Sequence, residues 1–501
     1  MERVNMNGEK ILEGLDESQL TAATSIDGPV RIIAGAGAGK TRTITRRIAH
    51  ACATGQWDPA RTLAVTFSVK AATEMRSRLA ALGVPTVKAA TFHSAALHQL
   101  RRAWSDLSEA YFPSIVTDPR QLATVALARV NGQTEPDAMT IRALLAEINW
   151  TKVSLIAPQD YARVCAATHR QPPAGLGADA MADVIDVYER EKTGRNQMDF
   201  NDILLMTCHV LEQFDQPAAT IRSQVRWITV DEYQDVSPLQ HRLLNLWMRG
   251  RDSLCVVGDP AQTIYSFAGA TSHYLLHFGE EWRRPCTDVR LDTDYRSTPQ
   301  IVNYANRVLS ASPQARDYLV LRSGRPAGRR MMVTAYDNDE KEATSVARRI
   351  ATLIDRGVSP NDVAVLMRIN AQGPMIRAAL GKLGIRSRIR TEYAQTEATL
   401  IDSSSAAAQA AADELTARQA GQVSISTIHA SKGLEWKHVF IIGCSEGLIP
   451  FGSPAAGEAL EEERRLFYVA VTRGEDTVDV SFAYGKEAAS PQRRTPSRFL
   501  R

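Results

Sequence analysis

The sequence predicts an α/β fold of two parallel-sheet lobes, the first interrupted by a helical insertion. Three observations carry this reading. Short β-branched runs recur between helical patterns. The runs fall into two groups, before about residue 260 and after about residue 360. The stretch from about 96 to 198 is helical in pattern and has few strand candidates. Unbroken apolar strands alternating with helices are the pattern of parallel sheets covered on both faces.

In chain order, the run Val30 to Ile33 comes first, and Leu63 to Phe67 follows. Trp227 to Val230 and Leu254 to Val257 complete the first group. The second group is Val363 to Leu366, Val423 to Ile428, Val439 to Ile442 and Val478 to Phe482. From Glu397 to Gln422 the chain is rich in Ala and Ser and lacks bulky apolar residues. Such a stretch is a surface helix or a flexible linker and cannot carry a core.

Composition narrows the function classes. A length of 501 residues suggests about three domains. The net charge is only +3, so any nucleic-acid binding must come from a local groove. The six cysteines lie far apart without a C-x-x-C pair, which argues against zinc and disulfides and for a reducing compartment. The N-terminus has no apolar signal core and no run is long enough for a membrane helix, so a cytoplasmic protein is expected.

Chemistry enters at Ala34-Gly35-Ala36-Gly37-Ala38-Gly39-Lys40-Thr41, a glycine-rich turn between a strand and a helical pattern. Small residues let backbone amides close on phosphate oxygens, and the helix N-terminus adds a positive dipole end. Lys40 would reach the β- and γ-phosphates, and the Thr41 hydroxyl would hold Mg²⁺. The strict pattern wants Gly at the position of Ala34. A second strand runs into Asp231-Glu232, a carboxylate pair suited to such a loop. Asp231 would bind Mg²⁺ through water, and Glu232 would orient and deprotonate the attacking water. A third strand leads to Gln262, which can sense a γ-phosphate, and to Tyr265 and Phe267, which suit either a core or a stacking surface.

The order of motifs resembles the UvrD/Rep/PcrA DNA helicases of superfamily 1 over nearly the whole chain. Besides the segments above, the likeness rests on Leu15 to Gln19, Thr66 to Met75, Thr91 to Ser94 and Asp199 to Leu204. It continues through Tyr295-Arg296-Ser297, Thr427 to Trp436 and Glu462 to Arg473. In character the chain is similar to the shorter UvrD-like helicases of actinobacteria.

The resemblance implies two RecA-like lobes with ATP and Mg²⁺ in the cleft between them. The first lobe (1–95 and 199–289) would hold the helical insertion (96–198). The second lobe (290–394 and 421–501) would hold a vestigial accessory subdomain or linker (395–420). Arg296 and Arg473 are similar to the family's arginines that reach the γ-phosphate. Tyr295 would stack on adenine, Gln19 and Arg42 would read its edge, and Glu435 would reach the ribose. Thr66, Phe67, His93, Tyr265, Phe267 and His429 match contacts to single-stranded DNA. The implied activity is ATP-driven 3′→5′ movement on single strands and opening of tailed duplexes, in repair or replication. The alternative is a translocase that displaces proteins and unwinds duplex poorly alone.

The chain departs from the family pattern in several places. Only residues 388–426 separate Gly384-Ile385-Arg386-Ser387 from Thr427, where larger relatives carry a much longer segment, so the accessory subdomain is expected to be nearly absent. Asp294 stands where the family commonly has Asn, and Ala268 where many members have Arg. The chain stops soon after Pro496 to Leu500, which resembles the family's end of core, so a truncated form is expected.

Overall fold

The computed structural model describes residues 8–390, 421–487 and 493–501. The segment 395–420, read as a vestigial subdomain or linker, lies outside the described residues.

Two six-stranded sheets organise the chain, and every pairing within them is parallel. The first contains β1 (Val30–Ala34), β2 (Thr62–Thr66), β3 (Lys88–Thr91), β4 (Trp227–Val230), β5 (Leu254–Gly258) and β6 (Thr287–Leu291). Its order is β3-β2-β4-β5-β1-β6. The second contains β7 (Met332–Tyr336), β8 (Val363–Met367), β9 (Ser387–Arg390), β10 (Val423–Thr427), β11 (Trp436–Ile441) and β12 (Gly474–Ala483). Its order is β7-β12-β11-β8-β10-β9. Central strands such as β2, β5, β8 and β10 are buried along their whole length, as helices on both faces require.

Two of the expected divisions fall inside elements of the structure. Residues 287–291 form β6, which pairs with β1, so a division at 289/290 would cut a strand of the first sheet. The strand groups also reach closer together than expected, because β6 and β7 lie between residues 260 and 360. A division at 95/96 falls inside the helix Phe92–Leu107. The buried face of that helix, with Phe92, Ala96 and Leu100, packs into the core of the first sheet. The insertion has its own core, from Val116 through Leu144 to Tyr188. A short parallel pair, Ser114–Ile115 with Gln197–Met198, brings its entry and exit side by side.

A buried charge cluster fixes that exit. Glu189, Asp199 and Asp202 lie close enough together to suggest a metal site. Two ammonium groups already sit among them. Lys152 Nζ is 2.9 Å from Asp202 Oδ1, and Lys192 Nζ is 3.1 Å from Asp199 Oδ2 and 2.6 Å from Glu189. Carboxylates neutralised this way hold helices in register and leave a cation little to gain.

The two sheets meet through shared packing. Ala36, Ala261 and Ile264, from loops of the first sheet, are buried in one apolar cluster with Ile301, Phe467 and Tyr468. The helix Glu458–Val471 supplies much of that contact. Its Arg465 Nε donates to Thr263 O at 2.7 Å, and its Glu462 accepts the backbone N–H of Ser266 at 3.1 Å.

Candidate nucleotide cleft and nucleic-acid face

The turn after β1 forms because Gly37 and Gly39 take left-handed φ angles of 70° and 76°. Side chains at those positions would be strained, and one at Gly37 would also collide with Asp294. Gly39 caps the helix Lys40–Ala53, so the free amides of the first turn face the loop's concavity. Lys40 Nζ rests on the carbonyls of Ala34 and Gly35, at 3.1 and 3.2 Å. Thr41 Oγ1 lies 3.5 Å from Asp231 Oδ2.

Asp231 and Glu232 follow β4 into the same space. Burial, and then the charge of Glu232, push the Asp231 carboxyl up to about 7. Burial raises Glu232 too, but Lys40, Lys432 and a hydrogen bond from Gln234 outweigh it and hold the group below its ordinary value. Two carboxylates placed together and unevenly charged suit a cation beside one and proton acceptance by the other. Glu232 sits at φ 53°, an unusual conformation for a side-chain-bearing residue.

A polar chain runs from Glu232 to Gln262. Gln234 Nε2 donates to Glu232 Oε2 at 2.6 Å, and its Oε1 accepts the Asp259 N–H at 3.0 Å. Gln262 Nε2 then donates to Asp259 Oδ2 at 2.7 Å. Gln234 and Asp259 received no role from sequence reasoning, although both lie in segments singled out there. Their burial and their bonds to Glu232 and Gln262 arise only in the fold.

The second sheet delivers the opposing groups. Arg473 is buried, with Nε on Val469 O at 3.0 Å and Nη1 on Leu434 O at 3.2 Å. Burial, and then the neighbouring charge of Arg296, lower its guanidinium pKa to about 10. Arg296 pairs with Glu435 and donates to Thr472 O at 3.3 Å. Lys432 bridges the two sheets: it pairs with Asp235 and donates to Gln262 O at 2.7 Å. It is a further residue that the sequence reading did not single out.

The two sets enclose one cleft of about 1,120 Å³, with Asp231, Gln234, Asp259 and Lys432 set behind its wall. Residues 36–42, Glu232, Gln262, Tyr295, Arg296, Glu435 and Arg473 all face it. Tyr295 is half exposed there, with its hydroxyl on Asp16. Arg42 Nη2 donates to Gly14 O at 2.8 Å. Gln19 is not on the cleft wall. It is buried beneath the loop and donates to Ala38 O at 3.0 Å, so here it braces the loop. Ala34 and Gly35 are also not on the wall, and their carbonyls accept from Lys40.

Another group of residues lies at or after the C-terminal ends of strands, Thr66, Phe67, His93, Tyr265 and Phe267 in the first sheet and His429 in the second. Phe267 is 64% exposed, and its ring is 6.0 Å from Tyr265 and 5.9 Å from His429. Tyr265 is partly buried between the lobes and donates to His429 O at 3.2 Å. The two aromatics therefore divide between the alternatives: Phe267 presents a free face, whereas Tyr265 is half core. Phe67 is also partly buried, edge-on to Phe92 at 6.0 Å. His93 stacks on Phe200 at 3.5 Å between ring centroids, and burial lowers its pKa to about 3. Thr66 does not fit the reading of a side-chain contact. As the last residue of a central strand it is sealed inside the sheet at 1% exposure.

The comparisons with known proteins match this architecture. Residues 15–283 match the UvrD/REP helicase N-terminal domain, and residues 289–394 and 390–484 match the UvrD-like helicase C-terminal domain. The chain belongs to the UvrD-like family of ATP-dependent DNA helicases. It is 36% identical to the ATP-dependent DNA helicase UvrD2 of Mycobacterium tuberculosis, over 99% of this chain and 82% of that one. It is 30% identical to the ATP-dependent DNA helicase PcrA of Bacillus subtilis, over 77% of this chain and 51% of the relative. UvrD1 of Mycobacterium tuberculosis is 34% identical over 76% of this chain and 50% of its own length.

Family membership accounts for the shared cleft of this UvrD-like helicase, to which both sheets contribute charged groups. Among the described residues no helix is long and apolar enough to cross a membrane. All six cysteines are free thiols.

Proposed function

We propose that the chain hydrolyses ATP between its two sheets and uses the cycle to move 3′→5′ along single-stranded DNA, opening tailed duplexes in repair or replication. One observation carries this reading: Arg296 and Arg473 of the second-sheet half line the same cleft as Lys40, Glu232 and Gln262 of the first. Phosphoryl transfer spreads charge over equatorial oxygens, and guanidinium groups from the opposite lobe stabilise it only when the lobes are together. Hydrolysis is then tied to closure, and product loss to opening.

In this scheme Lys40 and the loop amides hold the β- and γ-phosphates, and Gln262 senses the γ-phosphate. Glu232 takes a proton from the attacking water. Thr41 and Asp231 would hold Mg²⁺, which supplies charge neutralisation on the phosphate oxygens. Tyr295 and Arg42 take the adenine end, with Gln19 holding the loop beside them, and Glu435 exchanges Arg296 for the ribose. Phe267, Tyr265 and Phe67 form the face on which bases stack, which tolerates any sequence, and His93 and His429 make polar contacts to the strand. The work is assigned to the cytoplasm, where free thiols stay reduced.

A second reading, a translocase that strips proteins but separates strands poorly, draws support from the short span of residues 388–426. Matched 3′-tailed and 5′-tailed duplexes, with ATP turnover followed in parallel, separate the readings. Unwinding of the 3′-tailed substrate alone supports the first. Turnover stimulated by single strands without strand separation supports the second. Selective unwinding of the 5′-tailed substrate contradicts the polarity in both.

A further inference from the structure

Asp294 closes the short strand Thr293–Asp294, just after β6, and it is fully buried. Its Oδ1 accepts two backbone amides, from Arg296 at 2.7 Å and Ser297 at 3.0 Å. Its Oδ2 is also buried and has no hydrogen-bond partner among the described residues. The same carboxylate lies flush against the phosphate loop. A Cβ built on Gly37 would stand 1.9 Å from Oδ1, and the next residue, Tyr295, donates its N–H to Gly37 O at 3.1 Å.

Loop and arginine are thus seated on one side chain. An asparagine of the same shape could cradle both amides through its carbonyl, without charge. A buried oxygen without a partner is costly, so its charge needs a reason. Arg296 is the opposite charge that acts on it, and that guanidinium also pairs with Glu435. A net negative group in a poorly screened position repels a polyanion bound across the loop.

We propose that Asp294 is a positioning residue that also sets nucleotide affinity: it fixes the backbone of Arg296, and its incompletely neutralised charge behind the phosphate loop loosens the grip on nucleoside diphosphate so that product leaves quickly. This inference rests on the ATP-site reading above.

The test is titration of the full chain with a fluorescent ADP analogue and Mg²⁺, beside single-turnover ATP hydrolysis. Asp294→Asn and Asp294→Ala both remove the charge, and both should bind the analogue more tightly, on the order of tenfold. Hydrolysis should split them. Asn keeps an acceptor for the Arg296 amide and should retain the single-turnover rate, whereas Ala should lose most of it. A purely structural residue would instead lose affinity and rate together. If neither variant binds ADP more tightly than the wild type, the inference is overturned. Lys40→Ala keeps the two failures apart: undiminished turnover in that variant would defeat the ATP-site reading, whatever Asp294 does.

Discussion

Arg473→Ala is expected to lower ATP turnover by about 10³-fold or more while leaving nucleotide affinity within a few fold. The side chain is buried and oriented by the Val469 and Leu434 carbonyls, so it reaches the cleft as a fixed charge. Such preorganisation avoids reorganisation as charge develops in the transition state. Burial and Arg296 already lower its pKa to about 10, a sign that the position is costly for a cation standing alone. A polyphosphate facing it relieves that cost. Arg473→Lys keeps the charge but not the planar fork, and it should fall between wild type and alanine. Steady-state turnover beside equilibrium nucleotide binding is the check. A parallel loss of both would assign Arg473 to the fold.

Glu232→Gln should retain nucleotide and DNA binding and lose about 10²- to 10⁴-fold in turnover, the range for removal of a general base. The substitution is isosteric, and its carbonyl can still accept from Gln234 Nε2, now 2.6 Å from the carboxylate. Only the capacity to take a proton disappears. Lys40 and Lys432 hold Glu232 below its ordinary pKa, so the wild-type group is ionised at neutral pH. Stopped-flow phosphate release gives the rate, and an unchanged value would remove Glu232 from the chemistry.

The sequence shows the middle of each sheet and hides the margins. Every strand read from the sequence is a central one. The four that it does not reveal, β3, β6, β7 and β9, are the edges of the two sheets. Central strands are buried on both faces and read as unbroken apolar runs. Both Thr287–Leu291 and Met332–Tyr336 are largely exposed, and in the first of them Thr287, Asp288 and Arg290 break the apolar run. The division at 289/290, implied by the resemblance, falls inside one of these edge strands.

The cleft divides in the same way. Lys40, Thr41, Asp231 and Glu232 lie in local segments whose spacing carries chemistry. The pairing of Arg296 with Glu435, and the bridge from Lys432 to Asp235, join residues far apart in the chain that only folding brings together. Gln19 shows the converse. Its motif is legible, but the capping box with Asp16 and the bond to Ala38 turn its amide under the loop rather than along the cleft.

The nucleotide cleft and the aromatic face share covalent segments: β5 leads to Gln262, Tyr265 and Phe267 in succession, and β10 leads to His429 and Lys432. The central claim is that a strand on one surface governs chemistry in the other. The initial rate of ATP hydrolysis, measured with and without an oligothymidylate, tests it most directly. Strong stimulation in the wild type, lost when Tyr265 and Phe267 are both replaced by Ala, is the predicted result. Hydrolysis equally fast with and without the strand would contradict it.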